Sequence, residues 1–259
     1  MLSVEGADGS GATPRESTLE DAEFTARNPA KSLSEAEHES VPLSSRLSAY
    51  RANTRKHQPA FAKAYDDLVE RLNVLDRGGV GPGVGEPMPP FDLSDENGNL
   101  VSLASLLRHG PAVISFNRGH WCPYCRLELR ALAAVNDRMR KLGARIVSIM
   151  PDSGRYTAHY VKNNDLPFPI LSDIDLGYSL SLGLIFWVGA EVQRLYKDVG
   201  IELEKYHGND GFFLPVTAKF IVGQDGLVKA RHVNIEFRER MEPEAIVKLL
   251  EGLRTGSRS

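Results

Sequence analysis

The chain has 259 residues, 42% hydrophobic and 25% charged, enough for one good-sized globular domain with extensions. A formal net charge of −3 with no basic block excludes the electrostatic signature of a binder of nucleic acid or anionic membrane. No stretch approaches the roughly eighteen consecutive apolar residues that span a bilayer, and no basic start runs into an apolar segment as in a secretory leader, so a soluble cytoplasmic protein is expected.

Residues 1–40 carry nine acids against three bases, many small polar residues and one aromatic, Phe24. Such a tail buries too little apolar surface to offset its ordering entropy and is expected to be disordered. From Leu43 the pattern turns helical. Leu43, Leu47 and Tyr50 precede the polar, basic segment Arg51 to His57, and Pro59 then starts a second helix with Phe61, Ala64, Tyr65, Leu68, Leu72 and Leu75 on one face. Residues 43–77 are therefore expected to form a helical extension that packs on the domain or on a second subunit, the latter giving a homodimer. Gly78-Gly79, Gly81-Pro82-Gly83-Val84-Gly85 and Pro87-Met88-Pro89-Pro90 come next. A phosphate loop follows a strand and opens a helix; this run follows a helix and reads as a linker or entry loop.

The main domain is expected over residues 85–255. Phe91 and Leu93, then Leu100, Val101 and Leu103, flank Asn97-Gly98, the signature of a hairpin turn, and a short helix over Leu103 to Leu107 follows. Pro111 to Asn117 is a short apolar run with β-branched residues, a buried strand. Arg126 to Gly143 repeats Leu127, Leu129, Leu132, Val135, Met139 and Leu142 at roughly helical spacing. Ala144 to Met150 reads as a second buried strand, Arg155 to Asn163 as a helix, Phe168 to Leu171 as a short strand, with a helix from about Ile174. Leu184 to Val188 is assigned as a strand, Glu191 to Val199 as a helix and Ile201 to Phe213 as an irregular excursion. Thr217 to Val222 and Leu227 to Val233 form a hairpin around Gln224-Asp225-Gly226, and Pro243 opens a last helix with Ile246, Val247, Leu249, Leu250 and Leu253. Strands alternating with helices and closed by a hairpin and a helix describe an α/β sandwich: a mixed central sheet flanked by helices, in thioredoxin-like order.

The only two cysteines, Cys122 and Cys125, lie where the strand over Pro111 to Asn117 ends and the long helix begins. The first turn of a helix has unsatisfied N–H groups and a partial positive charge that stabilise an anion, here a thiolate. A Cys-X-X-Cys pair so placed commonly has a first sulfur more acidic than a free thiol and a second within reach of a disulfide. Cys122 is then the attacker and Cys125 the resolver. Pro123 suits the first helical turn, and Arg118, His120 and Arg126 add positive charge nearby. Two other readings stand beside this one. A structural zinc site needs four ligands, and with no second cysteine pair His109 and His120 would serve only by forced geometry, so no metal or other cofactor is expected. Two buried cysteines can also be inert core. The strand–turn–helix setting favours redox chemistry.

Ser115-Phe116-Asn117-Arg118-Gly119-His120-Trp121-Cys122-Pro123-Tyr124-Cys125, followed by Glu128-Leu129, resembles the active-site segment of the peroxiredoxin-like proteins of the alkyl hydroperoxide reductase/thiol-specific antioxidant (AhpC/TSA) family. Pro169-Ile170-Leu171-Ser172-Asp173, and Phe220-Ile221-Val222 with Asp225-Gly226, resemble later segments of the same family, so the likeness extends over about Gly85 to Leu253. The resemblance implies a thioredoxin fold and reduction of hydroperoxides with thiol-derived electrons. Two positions depart from the family. Ser115 and Gly119 stand where typical members carry a proline and a threonine or serine that orients peroxide, and Thr217 stands where thioredoxins carry a cis-proline.

The mechanism implied has Cys122 thiolate attack the O–O bond to give a sulfenic acid, which Cys125 converts to a disulfide. A thioredoxin- or glutaredoxin-type dithiol then restores the pair. Arg118 would hold the thiolate and the developing peroxide charge, or else be a surface salt-bridge arginine. His120, a candidate substrate-binding residue with Trp121, reads more simply as a solvated loop residue; Trp121 and Tyr124 either shield the sulfurs or only pack. Phe186 and Trp187 are expected in the core, and Arg231, His232, Arg238 and Arg240 on a solvated basic face. Two rival functions share the cysteines: a thiol–disulfide oxidoreductase acting on proteins, and a redox sensor whose disulfide switches docking of the N-terminal helices.

Overall fold

A computed structural model of the chain describes residues 41–74 and 80–256. The expected tail at 1–40, the far end of the helical extension at 75–77 and the first linker residues, 78–79, lie outside the described residues.

The sheet is built around β3 (Ala112–Phe116), every residue of which is buried. Burial on both faces is what a continuous apolar run with Val113 and Ile114 suits. It lies parallel to β4 (Arg145–Met150), which lies parallel to β5 (Ile170–Ser172). On its other edge β3 pairs antiparallel with β8 (Ala218–Val222), and β8 with β9 (Val228–Val233). The hairpin of β1 (Asp92–Ser94) and β2 (Leu100–Ser102) adds to the β5 edge, giving the mixed order β2-β1-β5-β4-β3-β8-β9. Its turn has Gly98 at φ +82, as the Asn97-Gly98 pair demands.

Helices supply the crossovers and cover the faces. A single turn or so, α3 (Leu103–Leu107), is capped at its start by Ser102 and leads into β3. The long α4 (Pro123–Lys141) buries Leu127, Leu129, Leu132, Val135 and Met139 on one face and ends in Arg138, Arg140 and Lys141, charges that suit a helix C-terminus. α5 (Gly154–Asn163) joins β4 to β5, and the short α6 (Gly177–Ser181) follows a 3-10 turn at Ile174–Leu176. The last helix, α9 (Pro243–Gly256), contributes Ile246, Val247 and Leu250 to the core beside α4.

The two N-terminal helices, α1 (Leu43–His57) and α2 (Pro59–Val74), pack on the body of the same chain. Leu43 and Leu47 of α1 and Phe61, Tyr65, Leu68 and Leu72 of α2 join the main apolar core. Pro42 gives α1 no side-chain cap, so the carboxylate of Glu242 accepts from the N–H groups of Leu43, at 3.0 Å, and Ser44, at 2.7 Å. A helix N-terminus takes an acid from across the fold in place of a local one.

Two assignments change in the middle of the chain. Residues 201–213 are not irregular throughout: they hold α8 (Leu203–His207), closed by Gly208 at φ +75, a helix too short to show a period. The strand expected over Leu184 to Val188 is β6 (Ile185–Trp187), but it pairs with β7 (Phe213–Pro215) in a separate two-stranded sheet. That sheet is covered on one face only. Phe186 is buried, while Trp187 points the other way and is 45% exposed beneath the guanidinium of Arg71, so it is not core. Between the two strands runs α7 (Ala190–Asp198), which packs against α2.

Candidate active site

Past the end of β3 the chain makes a turn that glycine alone allows. Gly119 has φ +144, and a Cβ there would lie 2.3 Å from Nε1 of Trp121 and 3.0 Å from Oδ1 of Asp152. The turn delivers Cys122 as the N-cap of α4, with Pro123 behind it in the first turn and Cys125 one turn into the helix. Both cysteines are free and almost wholly buried, at 1% and 0% exposure. The backbone N–H of Arg118 donates to Sγ of Cys125 at 3.4 Å, and Nη2 of Arg240 reaches the same sulfur at 3.8 Å.

The surroundings favour a single negative charge on the pair, at Cys122. Burial works against a thiolate at Cys122, but the Cys125 S–H bond and the charges of Arg118 and Arg240 outweigh it and bring Cys122 down to about 6. Burial and the neighbouring Cys122 anion push Cys125 well up, so the second sulfur keeps its proton.

Arg118 is fully buried and, among the described residues, has no carboxylate partner. One guanidinium nitrogen donates to the hydroxyl of Tyr196; Nε and Nη1 have no hydrogen-bond partner among the described residues. Aromatic rings enclose the rest: the guanidinium carbon lies 3.9 Å from the ring centre of Phe237, 5.2 Å from Trp121 and 5.5 Å from Tyr65. The surface salt-bridge reading of Arg118 is therefore overturned. Burial opposes its charge, and the anions that Tyr196 and Cys122 can form raise its pKa above the ordinary arginine value. A buried cation without a carboxylate is a strong electrostatic demand for an anion, which the Cys122 thiolate meets.

His120 is also not the solvated loop residue expected. Its backbone N–H and its Nδ1 both meet Oδ2 of Asp152, at 2.6 and 3.0 Å, and its ring stacks on Tyr156 and meets the edge of Tyr206. Asp152 is fully buried; burial favours its neutral form, yet His120 and His207 hold it below the usual carboxylate range. His207 brings Nε2 to 3.5 Å from Oδ1 of Asp152 without a hydrogen bond. His120, with its side chain 20% exposed, is the polar group of the motif that reaches solvent.

The late basic residues divide by location rather than forming a solvated face. Arg231 donates to the carbonyls of Val80, Gly81 and Pro82, and Arg238 pairs with Glu236 and Asp66. Arg240 goes inward. Its Nε meets Oε2 of Glu128 at 3.0 Å, and Oε1 of Glu128 meets Nζ of Lys219 at 2.5 Å, with all three side chains at most 3% exposed. Sequence reasoning assigned Glu128 and Lys219 no role. The signals were there: Glu128 follows Cys125 by three residues on one helix face, and Lys219 interrupts the apolar strand Ala218–Val222.

The N-terminal helices close the site. Tyr50 of α1 meets the ring of Tyr124 edge-on with centres 5.0 Å apart, and Tyr65 of α2 meets Phe237 and the hydroxyl of Tyr196. Trp121 is 1% exposed against Tyr196, and Tyr124 is 2% exposed. Among the described residues, no group of three or more His, Cys, Asp or Glu is placed to hold a metal ion, and no helix is long and apolar enough to cross a membrane.

Comparison with known proteins matches residues 84–231 to the AhpC/TSA family model. The chain is similar to chloroplastic peroxiredoxin Q of Sedum lineare, 26% identical over 66% of this chain and 78% of the relative. It is 32% identical to chloroplastic peroxiredoxin Q of Oryza sativa subsp. japonica, over 65% of this chain and 67% of that one. A putative peroxiredoxin bcp of Helicobacter pylori is 24% identical over 66% of this chain and 97% of its own length. Among solved structures, the peroxidoxin BcpB of Mycobacterium tuberculosis superposes with a TM-score of 0.51 at 19% identity, covering 66% of this chain and 97% of that chain, a likeness of fold. The N-terminal helices lie outside the family match.

Proposed function

This chain belongs to the AhpC/TSA family, and on that premise we propose that its thiol-dependent peroxidase activity runs through Cys122 as attacking thiolate and Cys125 as resolving thiol. The supporting observation is a buried dithiol at a helix N-terminus beside an arginine, Arg118, two of whose donor nitrogens have no hydrogen-bond partner among the described residues. The thiolate attacks the O–O bond of a hydroperoxide, forming an S–O bond and expelling an alkoxide or hydroxide. Arg118 stabilises the thiolate before attack and the charge on the departing oxygen during it, in a site dry enough for that charge to matter. Cys125 then attacks the Cys122 sulfenic acid, forming the disulfide and releasing water. A thioredoxin-type dithiol, the reductant the family implies, reopens the disulfide by exchange.

The missing threonine hydroxyl at Gly119 shifts peroxide activation onto Arg118, with Trp121 and His120 as the substrate-binding residues of the turn. His120, held by Asp152 and partly exposed, stands at the entrance. A reducing compartment is part of this reading, since the dithiol must be regenerated. A cytoplasm meets that need, as does the chloroplast named for the plant relatives. A homodimer is the assembly we expect, and light scattering of the purified protein tests it.

The deciding experiment is stopped-flow oxidation of the reduced protein by hydrogen peroxide and by an organic hydroperoxide, with Trp121 fluorescence followed alongside thiol titration. Fast loss of both thiols, abolished in Cys122→Ser, supports the mechanism. Oxidation no faster than that of a free thiol, together with ready reaction with a protein disulfide, would instead make the chain a thiol–disulfide oxidoreductase.

A further inference from the structure

Behind the dithiol lies a charge network that the cycle above leaves unused. Lys219, the second residue of β8, is tied to Glu128, Glu128 to Arg240, and Arg240 to the sulfur of Cys125. Arg118 stands on the other side of the pair and donates its backbone N–H to the same sulfur. In the reduced protein three buried cations, Arg118, Lys219 and Arg240, therefore face one buried carboxylate and one thiolate. Formation of the disulfide removes the thiolate charge and leaves a further buried positive charge uncompensated. An unpaired buried charge is costly, and the cost favours loss of a proton from a group able to release one.

Of the three cations only the lysine can do so, because a guanidinium keeps its proton in any protein environment. The groups facing Lys219 are few. Ser115 of β3 and His232 of β9 flank it in the sheet, Glu128 and Cys125 approach from α4, and Arg240 approaches from the segment after β9. Burial already holds the Lys219 pKa below its ordinary value and Arg240 adds to that, while Glu128 and negative charge at Cys125, whose S–H bonds the Cys122 thiolate, work to keep the lysine charged. Losing that anion on oxidation pushes the lysine further toward the neutral amine. His232 is held below its ordinary value by burial and by Lys219, so it is neutral in the reduced protein and has no proton to give.

We propose that Lys219 is the proton carrier of the Cys122–Cys125 couple, an ammonium while the pair holds a thiolate and a neutral amine once the pair is a disulfide. This rests on the dithiol–disulfide cycle proposed above and completes its proton balance. A thiolate, a thiol and a hydroperoxide give a disulfide, an alcohol and a hydroxide ion; with the proton of Lys219 the products are a disulfide, an amine, an alcohol and water. Two electrons pass from the sulfurs into the O–O bond. When a dithiol reductant returns two electrons it also releases two protons, of which one stays on Cys125 and the other goes back to Lys219. Glu128 is the positioning residue, holding Lys219 and Arg240 on the two oxygens of one carboxylate.

The test is the pH dependence of the equilibrium between the full-length protein and a dithiothreitol redox buffer, over about pH 7.5 to 9, with thiolate absorbance confirming that the first sulfur is ionised throughout. If Lys219 carries a proton, reduction takes up two protons. The equilibrium constant, corrected for the buffer, then changes about 100-fold per pH unit, or about 60 mV for a two-electron couple. Lys219→Met should take up one proton and change about tenfold, or about 30 mV, per unit. His232→Gln should keep the 100-fold dependence. A tenfold dependence in the wild type overturns the proposal and leaves the peroxidase reading standing, and so does a 100-fold dependence retained in Lys219→Met or lost in His232→Gln. Failure of the wild type to form any Cys122–Cys125 disulfide would overturn both.

Discussion

Replacing Arg118 with methionine isolates the electrostatic part of the mechanism. The guanidinium sits among Phe237, Trp121, Tyr65 and Tyr196 with no carboxylate to orphan, so an apolar side chain of similar length fits the same aromatic enclosure. The charge beside Cys122 is lost. With Cys122 at about 6, about nine-tenths of the protein carries the thiolate at pH 7. A full return to the free-cysteine value of about 8.5 would leave about 3%, so about 30-fold is the largest loss of reactive enzyme expected while the Cys125 S–H bond and Arg240 remain. In Arg118→Met, thiolate absorbance at 240 nm should therefore titrate at a pH clearly above the wild-type value of about 6. The second-order rate with hydrogen peroxide at pH 7 should fall by up to about 30-fold from loss of thiolate. Raising the pH should recover part of that rate, and the plateau should stay below the wild type because Arg118 also meets the leaving oxygen. A thiolate that still titrates near 6 in a folded Arg118→Met protein would refute the assignment of Arg118.

The depressed Cys122 pKa also sets a stability profile. A group whose folded pKa lies below its unfolded one stabilises the fold above the unfolded value and loses that contribution as pH falls through the folded value. Between about pH 8.5 and 6 the reduced protein should thus lose about 3 kcal/mol relative to Cys122→Ser, read from urea midpoints in excess reductant. Equal pH dependence of the two proteins would contradict this. Gly119→Thr, which restores the family's hydroxyl, should destabilise by at least about 1–3 kcal/mol, because a Cβ collides with Trp121 in a backbone region that disfavours it; a gain in peroxidase rate would show that the turn can reopen. Glu242→Ala removes the acceptor for two N–H groups of α1 and should cost about 0.5–2 kcal/mol. In that variant, hydrogen exchange should speed up first at the start of α1, and alkylation of Cys122 should quicken because Tyr50 of α1 covers Tyr124.

Much of the site was legible in the chain because its determinants are local. The apolar run over Ala112–Phe116, the spacing of Leu129, Leu132 and Met139, and Pro123 beside Cys122 place two cysteines at a strand-to-helix junction through steric and hydrogen-bonding preferences that span a few residues. The hairpins at Asn97-Gly98 and Asp225-Gly226 were legible for the same reason. The environment of the sulfurs was not. Arg118 could lie on a surface or in an aromatic cage, and only the packing of Tyr65 from α2 and Tyr196 from α7 decides which.

The same holds for the groups that arrive from far along the chain. His120 is anchored by Asp152, which follows β4, and Arg240 meets Glu128 from 112 residues away because the chain leaving β9 turns back over α4. Local patterning is enough to place a cysteine pair at a helix N-terminus, where a thiolate is favoured. Which charges surround the pair, and whether water reaches it, the tertiary structure alone decided: Coulomb energies depend on distances and burial that local propensities leave open until sheet order and helix packing are fixed.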